Sequence, residues 1–359
     1  MRRYLIMLLP LTLLAAACGN TGERAVPGTD QTSTSTEETP GDHLTLMTHD
    51  SFALSDGMLD TFTEQTGITV TVLESGDAGT MLSQAILTKD NPIADVLYGV
   101  DNTFLSRALS EGIFLEYQSP LLSSVPDSLM TDPHVTPIDF GDVCVNYDKA
   151  AFTATPPPET LADLTDPGYR DMLAVEDPAS SSPGMAFLLA TIATFGEDGD
   201  YTWLDYWSDL KNNGVAVASG WEEAYYSDFS GGGEGGERPL VVSYASSPAV
   251  GVYFTDPPPA DAPTGSLLNG CFRQVEYAGI LAGTAHQDAA AKLVDFLLSV
   301  PVQEDIPLNM FVFPANSEAK VPQVFTDFSP VPVAPVTVAV ETIEQNRERW
   351  INEWTDTLR

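Results

Sequence analysis

Short apolar runs alternate with helix-period patterns from residue 44 onward. Leu44–Met47 reads as a strand, and Met58–Gln65 as a helix that Gly67 stops. Ile68–Leu73 (ITVTVL) is a second strand, Thr80–Leu87 a helix and Ala94–Tyr98 (ADVLY) a third strand. Asn102–Glu111 is helical up to Gly112. This β-α-β-α-β-α order predicts a parallel sheet with helices on both faces. Ligands on such sheets sit beyond the carboxyl ends of the strands. Three of those ends carry polar residues: His49-Asp50-Ser51, Glu74-Ser75-Gly76-Asp77 and Gly99-Val100-Asp101-Asn102.

The second half repeats the alternation with two longer strands. Pro137–Tyr147 (PIDFGDVCVNY) and Phe272–Leu281 are each long enough to cross between two lobes. Between them lie a short strand at Leu173–Val175, helices at Met185–Phe195 and Tyr201–Asn212, and strands at Gly214–Ala218 and Leu240–Tyr244. Asp288–Ser299 and Ile343–Leu358 read as closing helices. Trp203 and Trp207 fall on the apolar stripe of their helix and are assigned to the core. The glycines of Ser230–Glu237 lack a following helix and a lysine, so that segment reads as a loop and not a phosphate cradle.

The start of the chain is different. MRR, an apolar run from Tyr4 to Ala17 and then Cys18 suggest an export signal of the lipoprotein type, with Cys18 acylated. The run is too short to span about 30 Å of hydrocarbon. Residues 19–42 hold almost no large apolar residues and read as a flexible tether. About 315 residues then remain, enough for two lobes.

Charge narrows the partners. Fifteen Lys and Arg face 51 Asp and Glu, a net charge of −36. Such a surface repels nucleic acid and anionic lipid headgroups. It attracts cations, although solubility or salt adaptation of the source is the better account of the charge. With Cys18 set aside, Cys144 and Cys271 are left, either as an oxidised pair or as two buried small hydrophobes. No HExxH, CxxC, GxSxG or dinucleotide fingerprint occurs, and the four histidines have no metal-ligand spacing, so no catalytic residue, cofactor or metal is assigned. What does recur is a strand ending in Ser or Thr with an aromatic or an acid. Ser180-Ser181-Ser182-Pro183-Gly184 precedes an apolar helix, whose first N–H groups suit an anion or a capping serine. Trp221 and Tyr244 end two strands of the second half, where their faces can stack on a flat ring or hold a cation, or simply pack in the core.

These segments, taken in order, resemble the thiamine-binding substrate-binding lipoproteins and periplasmic proteins of ABC importers. The landmarks are THDSF (48–52), ADVLYGVDN (94–102), PIDFGDVCVNYDK (137–149), EDPASSSPG (176–184), GWEEAYY (220–226), VVSYASSPA (241–249), NMFVFP (309–314) and ERWINEW (348–354). The resemblance implies a two-lobed, hinge-linked α/β fold of the periplasmic-binding-protein type, each lobe a mixed, mostly parallel sheet flanked by helices. The expected division is a signal at 1–18, a tether at 19–42, one lobe from 43–142 with 272–312, and a second from 143–271 with 313–359.

It also implies roles. Asp77 would hydrogen-bond the aminopyrimidine, Ser180, Ser181 and Ser182 would meet the hydroxyethyl or phosphate tail, Trp221 and Tyr244 would pack on the rings, and Ser247 would hydrogen-bond nearby. His49, Asp50, Ser51, Asp101, Tyr225 and Phe311 complete the expected site. His49 stands where the family often has tyrosine, Val250 where it has an aromatic, and Phe311 where it has tryptophan. The implied partners are thiamine or its phosphates and an ABC permease. The expected state is a monomer outside the cytoplasm, held at the membrane by lipid alone. Two alternatives stand beside this: a thiaminase I-like enzyme with Cys144 as nucleophile, and a ferric-ion binder using Tyr225 and Tyr226.

Overall fold

The computed structural model describes residues 43–233 and 235–359. The expected signal, Cys18 and the tether lie outside the described residues. The strands are β1 (His43–Thr48), β2 (Thr69–Glu74), β3 (Val96–Asp101), β4 (Thr136–Asp148), β5 (Leu173–Glu176), β6 (Ala216–Ala218), β7 (Leu240–Tyr244), β8 (Thr264–Ile280) and β9 (Phe313–Pro314). The helices are α1 (Met58–Thr66), α2 (Ala78–Leu87), α3 (Leu105–Ser110), α4 (Ser182–Phe195), α5 (Trp203–Asn212), α6 (Pro248–Tyr253), α7 (Gln287–Leu297), α8 (Val300–Asn309), α9 (Gln323–Phe328) and α10 (Val340–Leu358).

All nine strands join one sheet in the order β2-β1-β3-β8-β4-β7-β5-β6, with β9 added to β4. The two ends are parallel: β1 with β2 and β3, β5 with β6 and β7. The middle is antiparallel, where β8 pairs with β3 and β4, and β4 pairs with β7. The parallel reading from the first three strands therefore holds at the ends only. The strands β4 and β8 run through the centre and tie the ends together. β3 is buried along its whole length, as a strand covered on both faces must be, and accordingly reads Val-Leu-Tyr-Gly-Val before its terminal Asp101.

Helix starts follow local chemistry. Asp77 caps α2, accepting the Ala78 N–H at 2.6 Å. Thr202 and Asp205 form a capping box on α5. Trp203 and Trp207 are buried as expected, and the Trp207 Nε1–H donates to Thr191 Oγ1 at 2.9 Å. The closing helix α10 packs on both α3 and α5. Its Arg347 lies 4.4 Å above the Phe104 ring, and its Trp354 ring is 5.5 Å from that of Trp207. Cys144 of β4 and Cys271 of β8 form a disulfide, which leaves Cys144 without the free thiol that a nucleophile needs.

Candidate functional site

The carboxyl ends of the parallel strands at both ends of the sheet converge on one cavity of about 310 Å³. From the end of β1 come His49, Asp50, Ser51 and Phe52. The His49 ring sits against Gly99 of β3, where a Cβ would stand 2.2 Å from Cδ2 and where φ is +101°. Only glycine meets both conditions. The far ends of β6 and β7 bring Trp221 and Tyr244, and α6 brings Ser247. Phe311, with φ of 56°, follows α8 and closes the cavity beside Met310 and Val312.

Asp77 is the junction. Its Oδ1 accepts from Ala78 N at 2.6 Å and from Ser182 N at 3.5 Å, and its Oδ2 accepts from Trp221 N at 3.0 Å. One carboxylate thus joins the starts of α2 and α4 to the end of β6. Burial pushes its pKa up, against the pull of these donors. Across the cavity the Ser51 hydroxyl donates to Glu222 Oε1 at 2.9 Å.

The aromatic wall is organised around Trp221. Its ring stacks on Tyr225 at 4.9 Å, and Tyr226 and Tyr244 approach it edge-on at 5.6 and 6.3 Å. Its Nε1–H donates to Ser243 Oγ at 2.9 Å, and that oxygen lies 3.0 Å from Ser247 Oγ. The wall is therefore fixed before any ligand arrives.

The opposite wall is acidic. His49 Nε2 lies 3.5 Å from Glu276 Oε2. The Tyr98 hydroxyl donates to Asp139 and, at 3.2 Å, to Glu276 Oε2. Burial pulls the His49 pKa down, but Glu276, Asp77 and Asp50 outweigh it and hold it above 6.5. Burial raises Glu222 as well. Among the described residues four carboxylates line the cavity, those of Asp50, Asp77, Glu222 and Glu276, and no Lys or Arg does.

Nine of the thirteen expected side chains surround this cavity: His49, Asp50, Ser51, Asp77, Ser182, Trp221, Tyr244, Ser247 and Phe311. The other four stand behind it. Asp101 is fully buried and accepts from the Thr103 hydroxyl and the Phe104 N–H, at 2.8 and 3.2 Å, which makes it the cap of the turn before α3. Ser180 Oγ donates to the Ser219 carbonyl at 2.8 Å. Ser181 is buried at the start of α4, and Tyr225 is buried beneath Trp221. Sequence reasoning missed Glu276, Glu222, Phe52 and Phe254, and named Tyr226 only for the ferric-ion alternative. Glu276 carried a signal, because Gln274 and Glu276 interrupt one face of an otherwise apolar crossing strand. Among the described residues no group of three or more His, Cys, Asp or Glu is placed to hold a metal ion.

Known proteins agree with this arrangement. A family model described as bacterial extracellular solute-binding protein matches residues 91–330. The chain is similar to the thiamine-binding periplasmic protein of Brucella abortus, 28% identical over 321 residues, covering 87% of this chain and 91% of that one. It is also similar to the thiamine-binding periplasmic protein of Escherichia coli, 27% identical over 316 residues, covering 87% and 92%. Among solved structures, a periplasmic thiamin binding protein superimposes with a TM-score of 0.77 at 25% identity, covering 88% of this chain and 96% of that one. The sheet with its flanking helices is thus the periplasmic-binding-protein fold. The family model spans 240 of the 359 residues, and the chain belongs to the bacterial extracellular solute-binding proteins.

Proposed function

We propose that this protein captures thiamine outside the cytoplasm and delivers it to an ABC permease. The observation that carries the reading is a cavity with an aromatic wall centred on Trp221, faced among the described residues by four carboxylates and no Lys or Arg. Thiamine is a flat aminopyrimidine joined to a thiazolium cation. Aromatic faces and carboxylates suit both halves. The names of the relatives support the same ligand. Closure of two lobes about β4 and β8, with boundaries near 142 and 272, would give the permease a closed form to read. Lipid anchoring at Cys18 belongs to this reading and rests on the sequence, and a monomeric state belongs to it as the family resemblance implies.

Titration with thiamine tests it. Binding should quench tryptophan fluorescence, and Trp221→Ala should weaken binding by about tenfold or more, the loss of a ring–cation contact worth on the order of 1–2 kcal/mol. Trp207→Phe, in the core, should bind as wild type does. Equal affinities for wild type and Trp221→Ala would refute the assignment of the aromatic wall.

Binding should also weaken as pH falls. Below its raised pKa His49 carries a positive charge into the cavity, and the raised carboxyls of Asp77 and Glu222 begin to neutralise. Both changes oppose a cationic ligand. Calorimetry at pH 5.5 and pH 8 should give the tighter affinity at pH 8, and the reverse order would argue against a cation.

A further inference from the structure

We propose that Gly79 is the point where the two lobes lock together, backbone against backbone, and that its missing side chain sets how firmly the closed form holds its ligand. The proposal rests on the reading above, in which two lobes close on thiamine. It goes beyond that reading by naming a residue outside the cavity lining that governs closure.

Gly79 stands in the first turn of α2, in the first lobe. Glycine weakens a helix relative to alanine, so its place there calls for a contact that a side chain would spoil. The Gly79 N–H donates to the Ser180 carbonyl at 2.8 Å, reaching the loop before α4 in the second lobe. A Cβ at 79 would stand 2.7 Å from the Ala179 carbonyl oxygen and 2.8 Å from that of Ser180. Both lie well inside ordinary non-bonded separation, so an added methyl must hold the lobes apart or bend one of them.

Neither partner is free to yield. The Asp177 carbonyl accepts from Ser180 N and Ser181 N at 3.2 and 3.0 Å, and Asp177 Oδ1 accepts from Ala179 N at 2.8 Å. The Ser180 hydroxyl ties this turn to the Ser219 carbonyl at 2.8 Å. Opposite it, Asp77 fixes the start of α2 through Ala78 N. The same Asp77 accepts from Trp221 N at 3.0 Å and Ser182 N at 3.5 Å across the lobes. A methyl that holds residue 79 off Ser180 therefore also stretches the bonds that bring the aromatic wall against the first lobe.

Stopped-flow tryptophan fluorescence with thiamine, on the purified protein, tests the proposal. Gly79→Ala should bind thiamine weaker by about tenfold or more, because apparent affinity scales with the share of protein able to close. The loss should appear as faster dissociation, with association within about threefold of wild type, since the contact forms only after the ligand has entered. Within its own lobe the same Cβ would lie 2.9 Å from Phe104 Cε1, and Phe104→Leu removes that neighbour. Gly79→Ala/Phe104→Leu should then bind as weakly relative to Phe104→Leu as Gly79→Ala does relative to wild type. Recovery of affinity in the double variant would place the clash inside one lobe and overturn the proposal. Equal affinities for wild type and Gly79→Ala, or a loss carried by slower association, would overturn it too and leave the thiamine reading standing. Failure of wild type to bind thiamine refutes that reading, and the proposal with it.

Discussion

Ligand-free protein should be more stable at pH 5 than at pH 8, and Asp101→Asn should remove part of that difference. The side chain of Asp101 is fully buried at the end of β3, and burial raises its pKa from 3.8 to about 7. In the unfolded chain the same carboxyl ionises near 3.8. Between pH 4 and pH 7 the folded state therefore binds the proton that the unfolded state has lost, and stability declines as pH rises through that window. Ionising the group in place costs on the order of 4 kcal/mol for a shift from 3.8 to about 7, at 1.36 kcal/mol per pH unit. Burial also pushes Glu176 and Asp139 well above the ordinary carboxyl range, which gives them the same sign. Asparagine at 101 keeps an acceptor for the Phe104 N–H and has no proton to lose. Urea unfolding in ~0.5 M salt, where the Debye length is roughly 4 Å, separates this effect from surface repulsion. A wild type that gains stability from pH 5 to pH 8, or an Asp101→Asn variant with the wild-type slope, would show that Asp101 ionises freely in the folded state. Thiamine binding is expected to run the opposite way with pH, so the ligand should stabilise the protein most where the empty form is weakest.

Asp101 also shows where the sequence stops being legible. A carboxylate at a strand end can face a ligand or cap the next turn, and both uses need the same thing, an acceptor for N–H and O–H donors. The pattern alone does not separate them, and at Asp101 the cap won. At Asp77 the two coincide, because one carboxylate caps α2 and still lines the cavity. The strand–helix alternation was readable because buried parallel strands demand continuous apolar runs, as in β3. The pieces that escaped were those with broken patterns. The helix α8 carries Pro301 and Pro307, which read as breakers, although Pro301 sits in its first turn where its missing N–H costs nothing. The strand β8 begins at Thr264, eight residues before the apolar run from Phe272, because Asn269-Gly270 reads as a turn. Glu222 meets Ser51 only through long-range packing, which no local window contains, and Glu276 left just the polar break on its strand face as a signal.

That Asn269-Gly270 interruption is also where the disulfide matters most, and losing the disulfide should cost about 3–5 kcal/mol while leaving thiamine binding intact. Val143 of β4 pairs with Phe272 of β8, but Val145 pairs with Leu267, so residues 268–271 together face Cys144 alone. The ladder between the two central strands lapses there, and the Cys144–Cys271 bond spans the gap. It closes a loop with a sequence separation of 127, long enough that a crosslink removes much of the freedom of the unfolded chain. Neither cysteine lines the cavity. The double variant Cys144→Ala/Cys271→Ala should therefore unfold at markedly lower urea, yet bind thiamine within about threefold of wild type, a difference under about 0.7 kcal/mol. The same variant separates transport from chemistry. Cleaving thiamine with a cysteine requires a thiolate beside the pyrimidine and a base within hydrogen-bond reach. With Cys144 bonded to Cys271, thiamine incubated with wild type and a nucleophilic amine should remain intact. Turnover by wild type that disappears in the double variant would overturn the binding-protein reading and assign Cys144 a catalytic role.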